Sequence, residues 1–379
     1  MSEPGLSVFA AVGLGLVAVS FALSAGFCAL ARLWAPRLGF LDRPGGHKGH
    51  GRPVPLGGGV AIWLTTVGVT LIGAILAVTA GRWLPPELAR YADGVRQQSG
   101  ELFGILGLAS VIMVMGLVDD RRGLGWRLRL GVQFGLALVL AASGVRVTLF
   151  GLGPYFGGVV TVFWVVGLTN AFNFLDNMDG LAAGVGLMAA LLFVGAQLAV
   201  GSLFVPGVLL ALVGALGGFL VHNRFPAKLF MGDAGSNFLG FVLGAMTVAG
   251  TYYRYDRPVS RYSVLAPLLV MAVPLYDAVS VILIRVREGR SPFEGDRRHL
   301  SHRLVERGLT QRQAVRTIVL LTLAGGLGAL LLHRLDAFGA AVVVAQTVCL
   351  LGLVAILEVS ATRPERGDGT ANPGAGGGP

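Results

Sequence analysis

Long runs of apolar residues recur along almost the whole chain, and few of them carry a charge away from their ends. Eleven runs have about the length of a bilayer-crossing helix. They cover residues 6–30, 54–80, 102–118, 128–144, 158–175, 178–200, 205–221, 234–251, 263–284, 314–333 and 337–359. The pattern predicts an all-α, polytopic membrane bundle of about eleven transmembrane helices.

Composition supports the membrane class, because 54% of the 379 residues are hydrophobic and only 13% are charged. The first apolar run is too long for the core of a cleavable signal and has no Lys or Arg before it, so we expect it to remain as a helix. We expect one transmembrane domain over 1–360. The Gly- and Pro-rich segment 361–379 lacks an apolar pattern and predicts a disordered cytoplasmic tail.

The net charge of +10 reflects orientation in the membrane. With the N-terminus outside, the eleven spans place 22 of the 30 Lys and Arg residues on the inner side. This asymmetry follows the positive-inside rule and predicts a cytoplasmic C-terminus. The charge therefore gives no reason to expect a nucleic-acid partner.

Five aspartates fall at the inner ends of the predicted spans, and a sixth lies in the inner half of the ninth. They are Asp119, Asp120, Asp176, Asp179, Asp233 and Asp277. A carboxylate in or beside a membrane span is costly, which marks these residues as functional candidates. An ion-coupled transporter would place its acids near the midplane and show inverted repeats, and the sequence has neither pattern. The distribution favours a catalytic cleft at the cytoplasmic face.

The adjacent pair Asp119 and Asp120 ends the third run, before Arg121 and Arg122. Neighbouring helical residues point about 100° apart, so the two carboxylates cannot act as one bidentate clamp without local unwinding. They are suited to different roles, one as a base and one at a metal or hydrogen-bonding site. A solvated loop with local ion pairs is the alternative.

Four polar residues spaced three apart lie at the end of the fifth run and just after it: Asn170, Asn173, Asp176 and Asp179. In a straight helix neighbours in this series meet, whereas the first and last face opposite ways. Asn173 and Asp176 are therefore expected to share a site. Amide and carboxylate oxygens are the ligands that Mg²⁺ prefers, often together with substrate phosphates.

Asp233 lies between glycines at the start of the eighth run. It suits a helix N-cap, which contributes about 1 kcal/mol. The flanking glycines would also admit a phosphate close to backbone N–H groups. The sequence leaves capping and catalysis equally open.

Two basic loops complete the candidate site. One carries Lys48 and His50, and the other carries His299, His302 and Arg303. Cationic side chains neutralise diphosphates, and histidine donates protons near neutral pH. For Lys48, a contribution to orientation alone is an equal alternative.

The ordered set of motifs resembles the polyprenyl-phosphate N-acetylhexosamine-1-phosphate transferase family over roughly residues 40 to 310. The matching segments are DRPGGHKGHGRPVPLGGG from Asp42, VDD at 118–120, NAFNFLDNMDG at 170–180, GDAGS at 232–236, VPLYDAVSVILIR at 273–285 and SPFEGDRRHLSHRL at 291–304. The resemblance implies Asp119, Asp120 and Asp176 as catalytic residues, Asn173 and Asp233 as metal ligands, and Lys48, His50, Asn170, Asp179, His299, His302 and Arg303 as substrate-binding residues.

The resemblance also implies the reaction, which is transfer of a sugar-1-phosphate, as GlcNAc-1-phosphate, from a UDP-N-acetylhexosamine to undecaprenyl phosphate. Mg²⁺ is the implied cofactor, with Mn²⁺ as a substitute, and the implied location is the bacterial inner membrane. A homodimer is left open. Within the family, the phospho-MurNAc-pentapeptide transferase is the alternative.

Two positions depart from the family pattern. Ser301 stands where members usually have a histidine, which weakens the expectation that several histidines act together. Asn177 stands where they usually have glycine, and Asn adopts positive φ less readily, so the local turn geometry is open to question.

Overall fold

The helices of this computed structural model follow the apolar runs closely. The structure describes residues 3–42, 53–80, 86–148, 153–250, 259–291 and 298–359. Its helices are α1 (Glu3–Trp34), α2 (Gly58–Ala80), α3 (Pro86–Gln97), α4 (Ser99–Arg122), α5 (Trp126–Ala142), α6 (Pro154–Leu175), α7 (Leu181–Ala199), α8 (Phe204–Asn223), α9 (Gly232–Ala249), α10 (Ala266–Val270), α11 (Ala272–Arg287), α12 (Leu300–Glu306), α13 (Gln311–Leu327) and α14 (Ala337–Val359). The predicted tail, 361–379, lies outside the described residues.

The prediction of an all-α, multi-span membrane protein is confirmed, but the count of eleven spans is not. Within the described residues, eight helices are long and apolar enough to cross a membrane, or nine if one bent pair forms a single span. The other two predicted segments are helical as well. However, α5 has only 17 residues and the first turn of α9 is polar, so neither meets the same standard.

The ninth apolar run is broken at Met271 into α10 and α11, whose axes differ by 57°. Two prolines account for the break. Pro267 lies in the first turn of α10 and Pro274 in the first turn of α11. A proline lacks the N–H that an interior helical position requires, but the first turn does not need it. The bend directs α11 towards the loop that carries the predicted histidines.

The polar helix α3 was not predicted. The segment 81–101 was interpreted only as an outer connection, because its composition, PELARYADGVRQ, lacks a continuous apolar run. Its hydrophobic residues instead recur at helical spacing. Ala92 is buried, while Asp93 and Arg96 are exposed. This is the pattern of a helix packed on one face.

The core is centred on α9, in which every side chain from Ala234 to Thr247 is buried. Glycines allow its neighbours to approach closely. Gly59 of α2 packs on Gly235, and a Cβ atom added to Gly116 of α4 would overlap the backbone of Asp233. Small residues at helix interfaces are typical of membrane bundles. These contacts bring α2 and α4 against the first turn of α9.

A short hairpin supports the same end of the bundle. Strand β1 (Leu41–Asp42) pairs antiparallel with β2 (Val54–Pro55), and Leu56 bridges to Phe230 just before α9. The hairpin therefore attaches the segment after α1 to the loop between α8 and α9.

Candidate active site

Asp120 joins the end of α4 to the start of α9. Its Oδ1 accepts from the backbone N–H of Asp233 at 2.7 Å, and its Oδ2 accepts from Ala234 at 3.1 Å. The first N–H groups of a helix have no partner within the helix and attract negative charge. Asp120 thus supplies the cap that the sequence suggested Asp233 would provide, since the N-cap position of α9 has no side-chain bond of its own.

Asp119 points in a different direction from Asp120, as expected for adjacent residues of an unbroken helix. Its Oδ1 accepts from the N–H of Leu124 at 2.5 Å, and its Oδ2 accepts from Arg129 at 2.8 Å. The carboxylate is 5% exposed. The two adjacent aspartates therefore have different hydrogen-bond partners.

Arg129, near the start of α5, links two predicted site residues. One guanidinium nitrogen, Nη1, lies 2.8 Å from Asp119 Oδ2 and 3.1 Å from Asp233 Oδ2. Two carboxylate oxygens from different motifs therefore converge on one positive group. Sequence reasoning missed this role because Arg129 lies among four basic residues that were attributed to orientation in the membrane.

Asn173 and Asp233, the two predicted metal ligands, are in direct contact. The Asn173 amide donates to Asp233 Oδ1 at 2.8 Å and to Ser236 Oγ at 3.0 Å. Helix α6 thus places Asn173 beside the carboxylate that contacts Arg129. Three motifs that are far apart in sequence meet at the first turn of α9.

Behind this cluster lies a buried layer of amides. Asn170 donates to Gln133 at 2.6 Å, Gln133 donates to Asn237 at 3.1 Å, and Asn237 donates to the backbone carbonyl of Asp233 at 2.7 Å. Gln133 and Asn237 are almost fully buried. Asn170, predicted to bind substrate, is thereby connected to the backbone under Asp233. Neither Gln133 nor Asn237 was singled out from the sequence, since a lone amide in an apolar run has no distinctive spacing.

Asp176 ends α6 beside the other carboxylates. Burial of this carboxyl, together with the charges of Asp233, Asp120 and Asp179, raises its pKa to about 8, while the hydrogen bond with the backbone of Gly232 opposes the shift. A raised carboxyl pKa among like charges is typical of functional sites. Asp176 is thus close enough to Asp233 to sense its charge.

The turn after Asp176 positions the following loop. Asp179 accepts from the N–H of Ala227 at 2.9 Å, in the α8–α9 connection. Gly180 adopts a φ of +78°, whereas no other residue type in the described ranges has positive φ. Asn177 therefore does not need the conformation that glycine favours. The doubt about this turn is resolved, and the Asn177 amide donates to Phe174 at 2.6 Å.

The start of α12 is held by Asp277 of α11. Its Oδ1 accepts from the N–H of Leu300 at 2.6 Å, and its Oδ2 lies 2.9 Å from His299 Nδ1. The His299 ring also contacts Phe174, with ring centroids 5.5 Å apart. A carboxylate on one ring nitrogen fixes the orientation of an imidazole and leaves the other nitrogen for a ligand. Asp277 had been noted only as one of six acids.

The remaining predicted residues lie around this cluster or beyond it. His302 is one turn into α12, and Ser301 donates to Asn177 at 2.6 Å. Arg303 contacts Ser280 at 2.8 Å and Glu358 at 3.2 Å. Lys48 and His50 lie outside the described residues.

Comparison with known proteins identifies the family of this chain. Residues 102–251 match the sequence model of glycosyl transferase family 4. A decaprenyl-phosphate N-acetylglucosaminephosphotransferase of Mycobacterium tuberculosis (strain ATCC 25618 / H37Rv) is 34% identical over 328 residues, covering 76% of this chain and 74% of the relative. The chain belongs to glycosyl transferase family 4.

Two further relatives align over similar lengths. The undecaprenyl-phosphate alpha-N-acetylglucosaminyl 1-phosphate transferase of Escherichia coli (strain K12) is 30% identical, covering 79% of this chain and 78% of the relative. A probable undecaprenyl-phosphate N-acetylglucosaminyl 1-phosphate transferase of Bacillus subtilis (strain 168) is 28% identical, with the same shares covered.

The segment that matches the family 4 model contains the whole carboxylate cluster. It spans α4 through α9 and so includes Asp119, Asn173 and Asp233. Helices α11, α12 and α14 lie outside it. The contacts of Asp277, His299 and Arg303 therefore form a second part of the candidate site, built from residues that the sequence motifs also indicate.

Proposed function

We propose that this chain transfers GlcNAc-1-phosphate from UDP-GlcNAc to a polyprenyl phosphate, forming a lipid-diphosphate-linked sugar and releasing UMP. The printed activities of its relatives support this substrate pair. The observation that carries the proposal is the meeting of Asp119, Asn173 and Asp233 at the first turn of α9. Undecaprenyl phosphate is the acceptor that we propose for the assay.

We propose Mg²⁺ as the cofactor, with Mn²⁺ as a substitute. Within the described residues, no three His, Cys, Asp or Glu side chains are grouped closely enough to hold a metal by themselves. However, oxygens of Asp119 and Asp233 converge on one cationic group, Arg129, and the Asn173 amide adjoins Asp233. Mg²⁺ is commonly held by one or two carboxylates together with substrate phosphates. The donor set therefore fits a cation shared with the diphosphate.

The reaction needs two polyanions brought together. An oxygen of the lipid phosphate attacks the β-phosphorus of the UDP-sugar, and the bond from that phosphorus to the bridging oxygen of UMP breaks. Bound Mg²⁺ would supply positive charge at the diphosphate. In this scheme Asp119 orients the lipid phosphate or accepts its proton, and Arg129 offsets the negative charge that accumulates.

His299 is proposed to act on the diphosphate or the sugar. The Nδ1–H of His299 donates to Asp277, so Nε2 accepts a hydrogen bond when the ring is neutral and donates one when the ring is protonated. The nearby turn supplies Asp176 and Asp179, which we assign to organising the nucleotide end of the site. Lys48 and His50 are proposed as further substrate contacts.

The orientation proposed is N-terminus outside and C-terminus cytoplasmic. Arg121, Arg122, Arg127 and Arg129 follow the catalytic pair at the same end of the bundle. The positive-inside rule then places the candidate site at the cytoplasmic surface. A soluble nucleotide can meet a bilayer-bound acceptor there. Five of the six aspartates lie at or beside helix ends and Asp277 lies in the second turn of α11, whereas a transporter would require its acids near the middle of the spans.

The test uses the purified full chain with undecaprenyl phosphate and Mg²⁺, and compares UDP-GlcNAc with UDP-MurNAc-pentapeptide. We expect UMP release and a lipid-linked sugar with UDP-GlcNAc, and loss of both in excess EDTA. Product only from the pentapeptide donor would favour the phospho-MurNAc-pentapeptide transferase. Absence of UMP and lipid product with any UDP-N-acetylhexosamine would contradict the proposal.

A further inference from the structure

A buried carboxylate lies at the end of the last described helix. Glu358 is the penultimate residue of α14, a helix otherwise made almost entirely of apolar and small residues. Its side chain is 10% exposed, whereas Leu357 beside it is 57% exposed. A buried charge is strongly unfavourable unless it is paired. Glu358 therefore requires a specific partner.

The partners of Glu358 come from two other helices. Tyr276 of α11 donates its hydroxyl hydrogen to Oε2 at 2.9 Å, and Arg303 of α12 places Nη2 3.2 Å from Oε1. Arg307, which follows α12, donates to the backbone carbonyl of Glu358. One residue of α14 thus contacts both α11 and the segment that carries the predicted histidines.

Arg303 is enclosed by this network. Its side chain is 12% exposed, and Nη2 also donates to Ser280 of α11 at 2.8 Å. The first residue of α12, Leu300, is bonded to Asp277 of the same helix α11. The first residue of α12 is thus bonded to α11 through Asp277, and Arg303, one turn further along α12, is bonded to α11 through Ser280. The negative charge that pairs with Arg303 comes from Glu358 of α14.

We propose that Glu358 is a positioning residue of the transferase site, which acts through Arg303 to hold α12 and thereby orient His299 and His302. Arg303 belongs to this anchor and does not contact the substrate. The inference rests on the proposed function. It also gives α14, which lies beyond the segment that resembles the family, a direct role in the geometry of the site.

The experiment is a double-mutant cycle with E358Q, R303Q and the double variant in the purified full chain. Gln keeps the shape of Glu358 and removes its charge. We expect each single variant to lower kcat/KM for UDP-GlcNAc by about 10- to 100-fold, because small displacements of site groups cost that much. The double variant should be no worse than either single one, since both break the same contact. Assays run well below every melting midpoint, so lower stability alone does not reduce the rate.

L357A is the matched control, because it alters the neighbouring, exposed position of α14 and should remain within twofold of wild type. Should E358Q not accumulate in membranes, R303K takes its place. Its single ammonium cannot reproduce the guanidinium contacts, so we expect about a tenfold loss. The inference would be overturned if wild type is active and kcat/KM of E358Q or R303K stays within twofold of it. Additive losses in the double-mutant cycle would overturn it as well. An inactive wild type would instead contradict the proposed function.

Discussion

Ser301 donates its hydroxyl hydrogen to the side-chain oxygen of Asn177 at 2.6 Å, although 124 residues separate them. These are the two positions where the chain departs from the motifs of the family it resembles. The contact connects α12 to the turn that follows α6. Each departure from the family pattern therefore supplies one partner of the same hydrogen bond.

Removing either partner should weaken the reaction without preventing insertion. We expect S301A and N177A each to reduce kcat/KM by roughly three- to tenfold, the scale of one net hydrogen bond. The double variant should lose little more than either single one. Steady-state kinetics on the four proteins checks this, and independent, multiplied losses would show that the contact does not couple the two segments.

A histidine at position 301 should be poorly accommodated while Asn177 remains. Ser301 is 1% exposed, so S301H places a larger ring in packed space. We expect N177G to restore part of the activity lost in S301H. Lower activity in S301H/N177G than in S301H alone would contradict this prediction.

Arg129 should be essential because it bridges two carboxylates. R129M leaves Asp119 and Asp233 without their shared positive partner, and we expect a loss of about 10²-fold or more in kcat. R127M is the matched control, since the Arg127 side chain is exposed and lies over Trp126. Equal effects of R129M and R127M on UMP release would indicate a general charge effect and not a role in the site.

Close packing of α4 on α9 makes Gly116 sensitive to a single methyl group. G116A places a Cβ atom against the backbone of Asp233 and Ala234, which forces the helices apart at the site. We expect a destabilisation of about 1–3 kcal/mol, seen as a lower melting midpoint in detergent, and reduced activity. G107A lies in the same helix and meets no atom within 4 Å, so it should retain both properties. An unchanged midpoint in G116A would contradict the packing.

Asp176 predicts a pH-dependent stability in metal-free buffer. The folded-state pKa of Asp176, about 8, is above the ordinary value of 3.8 for this side chain, so between these values the folded protein holds a proton that the unfolded chain releases. Stability from this group therefore falls as pH rises towards 8. D176N removes the titration, and its melting midpoint relative to wild type should increase between pH 5 and pH 8. A constant difference across that range would contradict the raised pKa.

Much of the fold could be predicted because each helix that crosses a bilayer needs a continuous run of about 20 apolar residues, which is visible in the sequence. Every predicted apolar run is helical over most of its described length, and five of the six aspartates lie at or beside helix ends, whereas Asp277 lies in the second turn of α11. The sequence did not predict α3, because its residues are mostly polar. It did not predict the break at Met271 either, because the residues on both sides of the break are apolar. Whether α5 and α9 cross the membrane depends on packing within the bundle, which hydropathy does not report.

The partners of the site residues could not be predicted in the same way. Asp120 caps a helix that begins 112 residues later, and Arg129 joins acids from two motifs. Such contacts depend on how helices pack, and no local spacing encodes them. In the sequence, Glu358 lies at the end of an apolar run, where a charged residue at the membrane boundary is common. Only the structure shows that its side chain is buried and paired.

The most direct measurement is transfer of labelled GlcNAc-1-phosphate to extracted undecaprenyl lipid by purified wild type, D119N and D233N, each checked for correct membrane insertion. Both aspartates meet at Arg129, and their carboxylates are proposed to serve the lipid phosphate and the cation. We predict labelled lipid with wild type and none above background with either variant. Near-normal transfer by either inserted variant would contradict its place in the site.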